Sequence, residues 1–263
     1  MTTSLGMCTG TLLPDPMGET TDEQVQAAAA AARAAGFTQA SVWAHQLEQV
    51  LTSGLEVVAI EAAMAWATGT PEAAAAEARY FCSTAASVGA TKICAVTMDA
   101  TWPGIEPARE KLAVLVDGAR EVGAQVCVEF LPWSVIPDLA TAWALVEPLG
   151  PDAGILLDTW HWQRQPGGPD LPLLATIPGE RIGYVQICDA APEPVGDPLT
   201  EAMTDRWLPG DGAVDFDGLF EQLAAIGATP WLATEIFNPS LVKSLGAADT
   251  AKAMREAALS VLT

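Results

Sequence analysis

Four polar side chains end four consecutive apolar runs in the second half of this chain: Glu129 in VCVEF, Asp158 in GILLD, Gln186 in YVQ and Glu235 in WLATE. Glu129 is the hardest to explain structurally, because it lies between Val128 and Phe130 and buried acids are rare unless paired. Asp158 taken alone is an ordinary cap for whatever follows it. Gln186 taken alone suits a core amide bonded to a neighbouring strand just as well. Four such groups in register on successive strands are instead the pattern of a site. Three converging carboxylates repel one another and drive their pKa values upward, a cost that a bound divalent cation removes. Oxygen-dominated ligation suits Mg²⁺ or Mn²⁺ and leaves positions for a substrate's hydroxyl and carbonyl oxygens. Asp189, three residues past Gln186, is open to capping or to a place beside the site, and Glu61 in the third apolar run is open in the same way.

A scaffold that lines up strand ends must position these groups. Short runs rich in Val, Ile and Leu alternate with longer Ala/Glu/Leu segments of helical spacing, the signature of βα units around a parallel sheet. Strands are expected at about 5–13, 37–44, 55–66, 91–99, 125–132, 154–160, 182–190 and 230–237. Helices are expected at about 21–35, 45–53, onward from Pro71, 106–122, 137–146, 170–174, 216–226 and along the Ala-rich carboxy-terminal segment. Eight such units in 263 residues fit a closed (β/α)8 TIM barrel, one α/β domain over 1–263, and no GxGxxG follows a strand to suggest an open doubly wound sheet. Catalytic groups of such barrels lie at the C-terminal strand ends. The loop from Pro192 to Gly212, rich in Pro, Gly and acids, is expected on that face.

Charge narrows the partners. Asp and Glu number 33 against 12 Lys and Arg, a net charge of -21 with no basic cluster to offset it. Nucleic acid and anionic membrane surfaces are excluded as natural partners. A multiply phosphorylated ligand would need several cations, so a neutral or weakly charged small molecule is favoured, with a metal cation as its companion. The five cysteines lie far apart with no CxxC spacing and are expected to be buried thiols of a reduced, cytoplasmic protein. MTTSLGMCTG lacks the charged and apolar regions of an export signal, and no apolar run reaches the ~18 residues of a membrane span. Assembly into a homo-oligomer is left open.

VCVEFLPW, GILLDTWHW, YVQICDA, RWLPGDG and WLATEIF together resemble the xylose-isomerase-like TIM barrels, the sugar isomerase/epimerase superfamily that includes inosose dehydratases and ketose 3-epimerases. The resemblance covers nearly the whole chain and is strongest from Gln125 to Asn238. It implies a divalent metal held at the ends of the fifth to eighth strands by a Glu, an Asp, a His and a second Glu. Glu129, Asp158 and Glu235 match three of these, and Gln186 stands where histidine is commoner. The implied chemistry is proton transfer at a carbon beside a carbonyl or hydroxyl, with Glu129 and Glu235 as the acid/base pair. His161 is expected to bond the substrate or act as an acid. Arg206 resembles the family's loop arginine that contacts substrate oxygens.

Trp43, Trp66, Trp102, Trp133 and Trp160 fall at or just after the ends of the second to sixth strands, with Trp162 close behind. Such a belt stacks on a sugar ring, on a larger planar substrate, or on the barrel's own helices. Trp133, Trp160 and Asp189 join Arg206 as expected substrate contacts. The expected activity is therefore isomerisation or epimerisation of a neutral polyhydroxy carbonyl compound. Its rivals are a lyase or dehydratase on the same site, a metal-free natural-product enzyme with an aromatic or polyketide-like substrate, and a non-catalytic binding barrel.

Overall fold

The β-rich runs pair in parallel, each with its sequence neighbours, into a closed barrel: β1 (Leu5–Cys8), β2 (Gln39–Trp43), β3 (Glu56–Ala63), β4 (Lys92–Ala95), β5 (Gln125–Glu129), β6 (Ala153–Asp158), β7 (Ile182–Ile187) and β8 (Trp231–Thr234). β8 returns to β1 with Leu5 opposite Leu232, which leaves no edge strand. This is a computed structural model, and it describes residues 5–15 and 18–262. The first four residues of the amino-terminal stretch searched for an export signal lie outside that range.

The chain alternates strand and helix as expected, through α1 (Asp22–Ala34), α2 (Leu47–Leu51), α3 (Ala65–Thr68), α4 (Pro71–Val88), α5 (Ile105–Glu121) and α6 (Leu139–Val146). It continues through α7 (Thr159–Arg164), α8 (Leu171–Leu174), α9 (Pro198–Thr204), α10 (Phe216–Ala225), α11 (Pro239–Leu245) and α12 (Ala247–Ser260). Local chemistry sets the ends. The Thr21 hydroxyl accepts from Gln24 N while Gln24 Oε1 accepts from Thr21 N, a reciprocal cap that starts α1. Thr70 caps α4 with Pro71 in its first turn, and Gly89 ends it in a left-handed conformation at φ 71°.

Two layers of side chains result from the alternation along each strand. Outward residues such as Val126, Val128, Ile155 and Leu157 join the large core under the helices. Inward residues Ala59, Cys94, Cys127, Leu156, Tyr184 and Ala233 form a second apolar cluster that plugs the barrel interior. The polar site is built directly on that plug.

Several strands are shorter than expected. Residues at the ends of the anticipated first, third and sixth strands instead turn into a 3-10 segment at Thr9–Leu12, into α3 and into α7. The 192–212 loop contains α9, and the terminal helix is broken into α11 and α12 at Gly246. All five cysteines are buried free thiols. No helix among the described residues is long and apolar enough to cross a membrane.

Candidate active site

Counting two residues along five of the strands from the inward apolar layer lands on the polar layer above it. Ala59 leads to Glu61, Cys127 to Glu129, Leu156 to Asp158, Tyr184 to Gln186 and Ala233 to Glu235. All five are buried, so the barrel mouth holds four carboxylates and one amide with little water to screen them. The four residues singled out from strand endings therefore do come together, and Glu61 joins them from β3.

Asp158 does two jobs. Its Oδ1 accepts the backbone N–H of Trp160 at 2.8 Å and of His161 at 3.0 Å, capping α7. Its Oδ2 lies 2.6 Å from an Arg206 guanidinium nitrogen. The same nitrogen reaches Glu235 Oε2 at 3.2 Å, and the second terminal nitrogen of Arg206 lies 3.4 Å from His161 Nε2. His161 Nε2 is in turn 3.4 Å from Glu129 Oε1. Arg206, 2% exposed, is therefore the hub that joins Asp158, Glu235 and His161. Burial works against its charge, but Asp158 and Glu235 hold its pKa above the usual arginine range.

One guanidinium does not offset four acids. Burial, then the negative charge of Glu129, pushes Glu61 up to about 7, although hydrogen bonds from Tyr184 and Gln186 pull the other way. Burial and Glu61 likewise raise Glu235 well above the carboxylate range against the pull of Arg206.

The donor types here suit a divalent ion, although Arg206 already stands between Asp158 and Glu235. Gln186 Oε1 is buried and accepts no hydrogen bond, while its Nε2 donates to Glu235 Oε1 at 2.9 Å. A buried acceptor left unsatisfied costs about 1–3 kcal/mol, and a cation is the kind of group that satisfies it. Glu235 Oε1 and Oε2 each take a single hydrogen bond and keep a second lone pair for an ion, whereas Asp158 Oδ1 is occupied by its two backbone N–H groups. Glu129, Asp158 and His161 also offer ligand atoms within 4.8 Å of one another, as do Cys8, Glu61 and Glu235.

Above this floor is a cavity of ≈ 240 Å³. Glu61, Glu129, His161, Arg206 and Glu235 face it from below, and its walls include Trp43, Met64, Met98, Leu131, Trp133 and Phe237. Asp158 and Gln186 lie deeper, at 0% and 1% exposure. Trp133 and Trp43 thus join the expected indole wall. Trp160 is fully buried behind it, edge-on to Trp133 and His161 and covered by Arg164. Trp66 is a core residue whose indole N–H donates to Ala63 O.

Asp189 is placed elsewhere than the substrate contact expected of it. Its two oxygens accept the backbone N–H groups of Ala190, Val214, Gly210 and Gly212, all at 2.8–3.0 Å, so it anchors the loop behind Arg206.

An acid-rich mouth on a closed (β/α)8 barrel defines the class, an enzyme-type barrel with a polar floor under apolar walls. The chain belongs to the xylose isomerase-like TIM barrel family, whose pattern it matches over residues 5–260. It is 30% identical over 157 residues to the inosose isomerase of Bacillus velezensis, covering 59% of this chain and 54% of that protein. It is 32% identical over 137 residues to the 3-dehydroshikimate dehydratase of Pseudomonas aeruginosa, covering 51% of this chain and 21% of that protein. The chain spans about half the length of the inosose isomerase and a fifth of the dehydratase. Its fold superposes on the IolI protein, solved with a bound zinc atom, with a TM-score of 0.81 at 19% identity over 98% of both chains.

Proposed function

We propose that this protein is an isomerase or epimerase that moves a proton at a carbon beside a carbonyl in a neutral, sugar-like substrate, with a divalent cation at the barrel mouth. The observation that carries this reading is the joint placement of Glu129 and Glu235 with Arg206 and His161 on the floor of one cavity. Glu129 ends β5 and Glu235 follows β8, so two carboxylates reach the cavity from non-adjacent strands. One takes the proton from a face of the reacting carbon and the other returns it, which is what inversion at that carbon requires. Arg206 and His161 offer N–H groups to the oxygen on which negative charge develops, and the apolar walls keep water from competing.

Glu129, Asp158, Gln186 and Glu235 would hold the cation, and their hard oxygen donors favour Mn²⁺ or Mg²⁺. When bound, it would polarise substrate oxygens and so acidify the adjacent C–H. The IolI protein, which shares this fold, was solved with a bound zinc atom. The small molecule is the expected partner.

Elimination is the second reading, favoured by a proton carrier beyond the two that epimerisation needs. His161, beside Glu129 on the same floor, is placed to protonate a departing β-hydroxyl, and the dehydratase relative is named for a loss of water.

Inosose and ketose candidates in D₂O with the Mn²⁺-loaded protein separate the outcomes by NMR. Deuterium at the carbon beside the carbonyl without loss of water supports isomerisation. Loss of water supports elimination, and neither change with any candidate, with or without metal, overturns the proton-transfer reading.

A further inference from the structure

A primary amide is a weaker ligand than an imidazole or a carboxylate, so a cation site that includes Gln186 needs help from its surroundings. Glutamine itself does not choose which end of its amide faces an ion, because half a turn exchanges the oxygen and the NH₂. The neighbours choose. Gln186 Nε2 lies 2.9 Å from Glu235 Oε1, 3.2 Å from Glu61 Oε1 and 3.3 Å from the Tyr184 hydroxyl. The two amide hydrogens are therefore matched by an oxygen of each of two acid side chains. The amide oxygen lies on the other side, where Oε1 is buried with no donor.

Glu61 is held in place for this. Tyr184 donates its hydroxyl to Glu61 Oε1 at 3.1 Å, and Cys8 Sγ lies 3.9 Å from Oε2. It comes from β3, four strands away from Gln186 on β7, so the contact crosses the barrel interior. Glu235 takes the other amide hydrogen but belongs to the ligand set itself.

We propose that Glu61 is a positioning residue for the divalent-cation site: by accepting an N–H of Gln186 it fixes the amide with its oxygen free and polarises it toward that oxygen. A neutral side chain is thereby made a competent ligand. The logic is that of the carboxylate behind a metal-bound histidine, where such outer partners govern affinity. The inference rests on the reading of Glu129, Asp158, Gln186 and Glu235 as a cation site.

Isothermal titration of the EDTA-stripped full-length protein with MnCl₂ alone tests it without a substrate. Glu61→Gln is expected to weaken Mn²⁺ binding about 10- to 100-fold. Loss of a nearby negative charge would also weaken binding, so the same change is made in a Gln186→Glu background, where no amide remains to orient. There Glu61→Gln is expected to leave Mn²⁺ affinity unchanged or improve it. Equal weakening in both backgrounds overturns the inference, since it shows a bulk charge effect, and so does an unaltered affinity in Glu61→Gln alone. Wild-type protein that binds no Mn²⁺ overturns the cation reading and this inference with it. Should Glu61→Gln fail to fold, Tyr184→Phe loosens Glu61 without changing charge. It is expected to weaken Mn²⁺ binding in the wild-type background only, and unaltered affinity there overturns the inference.

Discussion

Among the described residues, Glu129 has no partner strong enough to make its position inside the barrel a stabilising one. A cysteine thiol 3.7 Å away and a histidine nitrogen at 3.4 Å are its recorded contacts, and it opens on the cavity. A group placed so can reach a substrate, and Glu129→Gln is expected to lower turnover by about 10²–10⁴ while far-UV circular dichroism stays unchanged. Normal turnover by that variant removes Glu129 from the chemistry. Glu61 supplies a stability prediction with a definite sign. In the folded protein it keeps its proton up to about 7, against 4.5 for an ordinary glutamate, because it is buried. Between those values the folded state binds more protons than the unfolded one, so stability falls as pH rises. With a chelator present, urea unfolding is expected to show on the order of 3 kcal/mol less stability from this group at pH 8 than at pH 4. Glu61→Gln removes that part of the slope, and equal slopes in the two proteins refute the assignment. In the sequence, Glu129, Asp158, Gln186 and Glu235 were legible as polar endings of apolar runs. Glu61 carried a weaker signal, because the apolar run continued past it and hid the ending.

The elements that hold the site differ from those a periodicity argument expects mostly at their ends. Strand-like composition continues beyond the true strands because residues such as Trp66, Trp160 and Trp162 are buried in short helices, and burial selects apolar side chains in either conformation. α9 was hidden for a different reason. Its DPLTEAMT stretch starts inside a run of Pro, Gly and acids, and a tertiary contact holds it: Glu201 pairs at 2.6 Å with Arg164 of α7. Periodicity does not report such long-range pairs. Asp189 shows how the parts of this loop outside α9 are fixed. Its four backbone N–H partners span residues 190 to 214, and its own backbone pairs with Trp207 next to Arg206. Gly212 fits only because it lacks a Cβ, which would fall 2.3 Å from Ala190 O and 2.4 Å from Asp189 Oδ1. Asp189→Ala is therefore expected to cost about 3 kcal/mol or more, by analogy with other lost buried hydrogen bonds. Hydrogen exchange should quicken at residues 207–214 while β5 and β6 stay protected. Unchanged exchange there shows that the loop is held by packing instead.

At the scale of the whole molecule, the barrel was legible because eight repeats of one pattern in 263 residues leave few other ways to bury so many strands. The register was not, since shifts such as those between Ala40 and Ser41 or between Ile155 and Leu156 depend on how neighbouring strands coil around the plug. The charge of -21 acts on this scale as well. Exposed ion pairs are few among the described residues, such as Arg109 with Glu106, Arg120 with Asp117 and Asp152, and Lys252 with Glu256, and surface pairs contribute little. Repulsion between the unpaired surface acids is long-ranged, and salt shortens its reach from ~30 Å at 0.01 M to ~8 Å at 0.15 M. The same net charge in an unfolded chain is spread over a larger volume and repels itself less. Adding NaCl over that range at pH 7.5 is therefore expected to raise the melting temperature, and KCl should act equally because the effect is screening. The buried Arg206–Asp158 and Arg164–Glu201 pairs, shielded from solvent, should contribute almost nothing to the change. A melting temperature that falls with salt would show local ion pairs outweighing the global repulsion, and a rise with NaCl but not KCl would point to a specific ion site.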